Sequence, residues 1–126
     1  MNYLLDTNAL LYIFSAPSEL SARARRIVRG ESSLYVSVAS FCEIAIKQSI
    51  GKLRFNMTIP KLESLCHERD IQILGISSVT LERIKNLPQI HGDPFDRYIV
   101  AQAQTDDLSI ITCDRIIPQY QVRTIW

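Results

Sequence analysis

The chain has 126 residues, 47% of them apolar and 21% charged, so it reads as one soluble globular domain able to bury a core. Three cysteines, Cys42, Cys66 and Cys113, are odd in number and lack any C-x-x-C spacing, which excludes a disulfide frame and a zinc site and predicts reduced, mostly buried thiols. No signal peptide and no membrane span is expected, and the chain is placed in the cytoplasm. The net charge of +1 hides an uneven distribution: if four acids share one site, 14 bases face only 9 acids elsewhere. An acidic pocket on a mildly basic body suits a metal-assisted enzyme acting on a polyanion.

The first strand, Tyr3-Leu4-Leu5, stops at Asp6 and passes through Thr7 and Asn8 into a helix from Ala9 to Phe14. Pro17-Ser18 makes a break, and Ser18 or Ser21 caps a helix from Leu20 to Arg29 that ends at Gly30. Arg23, Arg25, Arg26 and Arg29 give it a broad basic face, read as a solvated surface or a phosphate-contacting patch, with Ala22, Ile27 and Val28 left to pack. Leu34 to Val38 is a second strand, followed by a helix through Phe41, Glu43, Ile44, Ala45 and Lys47 that Gly51 closes. Phe41, Ile44 and Ala45 are expected to face inward. Lys52-Leu53-Arg54-Phe55 is a basic connector, and Pro60 opens a helix to Glu68 with Leu62 and Leu65 toward the core. Ile71 to Leu74 is a third strand. Ser77 or Ser78 then caps a helix reaching Leu87, where Pro88 stops it. After the loop at His91-Gly92, Asp93-Pro94 starts a long helix through Ala103; Ser109 to Thr112 is a fourth strand, and Val122 to Trp126 a fifth. Strands alternating with helices predict a three-layer α/β/α sandwich around a mostly parallel sheet.

Four acids fall at comparable places: Asp6 after strand one, Glu43 in the first turn after strand two, Asp96 in the first turn of the long helix, and Asp114 after strand four. In a right-handed parallel sheet these positions share one edge, where ligands bind. Crowded carboxylates repel unless a divalent cation joins them, and Mg²⁺ or Mn²⁺ prefers such oxygen ligands. Plainer roles stand beside this one. Asp6 or Asn8 caps a helix, Asp93 is the N-cap before Pro94, Glu43 pairs with Lys47, and Asp114 is a turn residue. Thr7, Asn8 and Thr112 serve the backbone or support the carboxylates. His91 is a loop histidine or a proton donor. The chemistry such a site supports is hydrolysis of a phosphodiester, with Lys47, Lys52, Arg54 and Arg97 as candidate phosphate contacts.

These stretches resemble the four motifs of PIN-domain proteins: Leu4 to Leu11 with Asp6, Ser37 to Lys47 with Glu43, His91 to Ala103 with Asp96, and Ile110 to Asp114. The length and the run Asp93-Pro94-Phe95-Asp96-Arg97 resemble the VapC-type toxins within them. That resemblance implies a Mg²⁺- or Mn²⁺-dependent endoribonuclease in which Asp6, Glu43, Asp96 and Asp114 ligate the metal, with Asp93 as a further candidate ligand. It also implies a homodimer restrained by a small antitoxin, with the early helices, Leu20 to Arg29 among them, at that interface and DNA reached only through the antitoxin. Two other functions compete with this one. Aspartyl-phosphate transfer through Asp6 would want a second Asp where Asn8 stands. A non-catalytic module binding RNA or antitoxin would need no acid set.

Overall fold

Period-two alternation assigns each strand residue to one of two cores. The computed structural model describes residues 1–126. In β1 (Asn2–Leu5), Tyr3 and Leu5 join one buried cluster and Leu4 the other. β2 (Ser33–Ser37) repeats the pattern, with Leu34 and Val36 on the first side and Tyr35 against the second. β3 (Ile71–Leu74) sends Ile71 to the first side and Leu74 to the second, and β4 (Ser109–Ile111) splits Ile111 from Ile110 in the same way. A short β5 (Thr124–Ile125) completes the sheet. The strand order is β3-β2-β1-β4-β5 and every pairing is parallel, so the expected mostly parallel sheet is wholly parallel.

Helices cover both faces. On the first lie α1 (Thr7–Ser15), α2 (Ala22–Arg29), the inward residues of α3 (Val38–Ser49), and α4 (Ile59–Glu68). On the second, α5 (Ser78–Lys85) and α6 (Pro94–Asp106) pack together, with Ile99, Val100, Ala101 and Ala103 buried. The predicted α/β/α sandwich is present.

Several local expectations shift. In α2 it is Ala24, not Ala22, that is buried, while Ile27 and Val28 pack partly. Ala45 lies on the exposed side of α3; Ser40 takes an inward place instead, because it hydrogen-bonds to Thr7 across the layer. Only Cys66 of the three thiols is buried; Cys42 and Cys113 are exposed. No helix is long and apolar enough to cross a membrane.

The chain leaves β1 toward β2 and β3 on one side, whereas β4 and β5 lie on the other. The carboxyl ends of β1 and β4 therefore flank the point where the strand order reverses, the place where open α/β sheets form a crevice.

Candidate active site

Leu5 pairs with Ile111, and the Asp6 N–H continues the ladder to the Ile111 carbonyl at 3.2 Å. This sets Asp6 beside Thr112 at the mouth of the crevice. Asp6 is also the N-cap of α1: its Oδ1 accepts from the Ala9 N–H at 2.8 Å, and the residue is 4% exposed. The capping role expected of Asp6 is present, and its second carboxylate oxygen carries no backbone donor. Asn8 is exposed on the first turn of the same helix.

Ser37 caps α3 through the Ala39 N–H, so the helix begins at Val38, earlier than expected. Glu43 consequently sits in the second turn, 5% exposed. The Thr7 hydroxyl donates to Glu43 Oε1 at 2.7 Å, and Lys47 Nζ lies 2.6 Å from Oε2. Thr7 is thus a direct support of a carboxylate. Lys47 is committed to Glu43, and that bond holds its ammonium above the usual range.

At α6 Asp93 is the N-cap, its Oδ1 accepting from Phe95 N–H at 2.9 Å and Asp96 N–H at 3.1 Å, with Pro94 next in line. Asp96 has no capping duty. His91 is its nearest side-chain neighbour of opposite polarity, with Nε2 3.5 Å from Oδ2. Asp114 follows β4 and closes a turn, Oδ1 accepting from the Ile116 and Ile117 N–H groups at 2.6 and 3.3 Å. Thr112 steadies that turn by accepting from the Asp114 N–H at 3.0 Å.

The four acids share one electrostatic environment. Burial pushes the Asp6 carboxyl up to about 6, with the charges of Asp114 and Glu43 adding and the Thr112 hydroxyl and Ala9 N–H opposing. Burial likewise pushes Asp96 up to about 7, helped by the charges of Asp93, Glu43, Asp114 and Asp6. Carboxylates raised by desolvation and mutual repulsion are what a nearby cation relieves. No three His, Cys, Asp or Glu side chains are already drawn together as a metal cluster. The donor set is nonetheless all oxygen: the second oxygens of Asp6 and Asp114 carry no backbone donor, and neither oxygen of Asp96 does. Such donors fit a hard divalent ion that retains waters.

The phosphate candidates divide. Arg97, expected at a phosphate, is 7% exposed and turned into the protein. Its NH1 donates to the Pro88 carbonyl at 2.9 Å and the Tyr120 hydroxyl at 3.2 Å, and its NH2 to the Ile84 carbonyl at 3.3 Å. The guanidinium fork is consumed by these acceptors, which tie α6 to the end of α5. Lys52 and Arg54 are exposed past the end of α3, without an acidic partner within 4.0 Å. Tyr120, buried beside Arg97 and His91, escaped the sequence reading because it stands alone in a polar, aperiodic segment.

A family model for the PIN domain matches residues 3–122, and the chain belongs to that family. In overall shape it is similar to a chain of VapBC2 from Rickettsia felis bound to a promoter DNA fragment (TM-score 0.73, 14% identity, 99% of this chain and 98% of that one). It is also similar to a chain of VapBC-1 from nontypeable Haemophilus influenzae (TM-score 0.66, 18% identity, 99% and 97%). A third likeness is to a chain of FitAcB from Neisseria gonorrhoeae (TM-score 0.60, 19% identity, 98% and 96%). No curated protein sequence matches the chain.

Proposed function

We propose that this PIN-domain chain is a Mg²⁺- or Mn²⁺-dependent endoribonuclease and the toxin of a VapC-type toxin–antitoxin pair. The observation that carries the catalytic part is the electrostatic convergence of Asp6, Glu43, Asp96 and Asp114 on one sheet edge. Family membership supports the nuclease class, and the shared shape with VapBC chains supports the toxin role. In this reading the protein acts in the cytoplasm as a homodimer, is restrained by an antitoxin, and meets DNA only through that antitoxin.

Asp6, Asp96 and Asp114 would hold the cation, with Glu43 as the fourth acid and Asp93 left to its cap. A bound divalent ion would lower the pKa of a water and steady charge on the phosphate. The chain's own part is to keep these oxygens in place before substrate arrives. Thr7 and Lys47 fix both oxygens of Glu43, Ala9 fixes Asp6, and the Thr112 turn fixes Asp114. An RNA strand approaching this edge offers phosphates to the cation and a proton-accepting role to any carboxylate left unligated.

The test is cleavage of total RNA by antitoxin-free protein with Mg²⁺ or Mn²⁺ against EDTA, with Asp96→Asn alongside. Fragments from the wild type alone, lost in EDTA, are expected. Equal cutting by Asp96→Asn would overturn the site. No cutting by wild type across many structured RNAs would overturn the nuclease reading.

A further inference from the structure

Behind Asp96 lies a chain of hydrogen bonds that the proposed chemistry does not use. His91 Nδ1 is 2.7 Å from the Tyr120 hydroxyl, the two rings are 5.5 Å apart, and Arg97 NH1 reaches the same hydroxyl at 3.2 Å. His91 Nε2 is buried and has no hydrogen-bond partner; the nearest acceptor is Asp96 Oδ2 at 3.5 Å. No acid pairs with Arg97, so its cation faces two backbone carbonyls and this phenol.

Counting donors settles the direction of the chain. A tyrosine hydroxyl has one hydrogen, and Arg97 can only donate to its oxygen. If His91 also donated from Nδ1, the Tyr120 hydrogen would be left with no acceptor in a site where Tyr120 is 3% exposed. Leaving a buried hydroxyl hydrogen unpaired is costly. If instead Tyr120 donates to Nδ1, every group around the hydroxyl is satisfied, and the guanidinium strengthens that donation by polarising the phenol. The imidazole proton must then sit on Nε2, the nitrogen that faces Asp96.

We propose that His91 is a positioning residue for Asp96, locked by Tyr120 and Arg97 as the tautomer whose Nε2–H faces Asp96 Oδ2 across 3.5 Å, so that this oxygen is the one it would hold and Oδ1 the one left to the crevice. This inference rests on the nuclease reading for its consequence. A ligand carboxylate held from behind by such a donor keeps its orientation, and losing the donor costs metal affinity or turnover. Arg97 thus serves the site from inside the core, through Tyr120 and His91.

Long-range ¹H–¹⁵N imidazole spectra of the metal-free protein at pH 8 read the tautomer directly, with exposed His67 as the reference for a mixture. Wild-type His91 should show a protonated Nε2 and an unprotonated Nδ1, and Tyr120→Phe, which keeps the ring, should shift His91 toward the mixed pattern of His67. Binding of Mn²⁺ alone should weaken by about 10-fold in Tyr120→Phe and His91→Leu, with His91→Gln, which restores an N–H near the Nε2 position, recovering part of the loss. Circular dichroism and Tm confirm that each variant is folded. A wild-type His91 protonated at Nδ1 would overturn the proposal. So would variants that bind Mn²⁺ and cut RNA as the wild type does. If the wild type itself neither binds Mn²⁺ nor cuts, the nuclease reading falls, and this role for Asp96 with it.

Discussion

The starts of α1 and α6 solve one problem in two ways. Each is a helix N-terminus aimed at the same crevice, and each brings an acid there. At α1 a single residue is both cap and acid, since Asp6 caps the helix with Oδ1 and is one of the acids proposed for the site. At α6 the jobs are separated: Asp93 caps, and Asp96, three residues on, has no structural duty. The separation shows in the proton affinities. The Thr112 hydroxyl and backbone bonding to Ala9 oppose the rise at Asp6, while at Asp96 burial and then the charges of Asp93, Glu43, Asp114 and Asp6 all push upward.

That contrast breaks most sharply in variants that remove one job at a time. Asp6→Asn keeps a good N-cap but loses a charge, so RNA cleavage should fall by about 100-fold or more with no loss of Tm. Asp6→Ala should lose cleavage to the same degree and about 1 kcal/mol of stability in addition. Asp93→Ala should do the reverse, costing about 1–2 kcal/mol in urea unfolding while most cleavage survives. If Asp93→Ala abolished cleavage without destabilising the fold, the division of labour at α6 would be wrong.

The next effect is on stability against pH. Folded Asp96 holds its proton up to about pH 7, while its ordinary value is 3.8. Between those values the folded chain binds more protons than the unfolded one, so stability falls as pH rises through that window. Asp6, raised to about 6, acts in the same direction. Metal-free protein should therefore be weaker at pH 8 than at pH 5. Asp96→Asn should flatten that slope and gain about 1–2 kcal/mol at pH 8, a figure reduced for partial solvent screening. Mg²⁺ should narrow the gap by stabilising wild type only. Unfolding midpoints in urea across pH decide it; a wild type that gains stability toward pH 8 would contradict the raised affinities.

Much of this was legible in the chain because the signals were local. Short apolar runs in Tyr3-Leu4-Leu5 and Ser109-Ile110-Ile111 marked strands, and the Asp93-Pro94 pair marked the start of α6. The placement of Asp6 and Asp96 followed from those starts and the handedness of parallel crossovers. What escaped depends on tertiary neighbours. Arg97 read as a surface cation because nothing nearby in sequence reveals that Pro88, Ile84 and Tyr120 surround its guanidinium. Glu43 was placed a turn too early because Ser37, the residue that ends β2, is itself the cap. Tyr120 gave no periodic signal at all.

Glu43 supplies the smallest and most discriminating test of the comparison, being an acid near the crevice that no helix start holds. Lys47 pairs with it one turn along α3 and is nearly half exposed, so the ion pair itself should contribute only about 0.3–0.5 kcal/mol. Lys47→Met should therefore barely move the unfolding midpoint. Its effect should appear at Asp96 instead, because Lys47 also lies within the field of Asp93 and Asp96. Without that ammonium the Glu43 charge is uncompensated, and Asp96 should titrate at still higher pH in ¹³C carboxyl spectra. Asp6, partly satisfied by Ala9 and Thr112, should respond less. An equal upward movement at both acids would mean that backbone capping does not protect Asp6 from its neighbours, and that α1 and α6 present equivalent carboxylates.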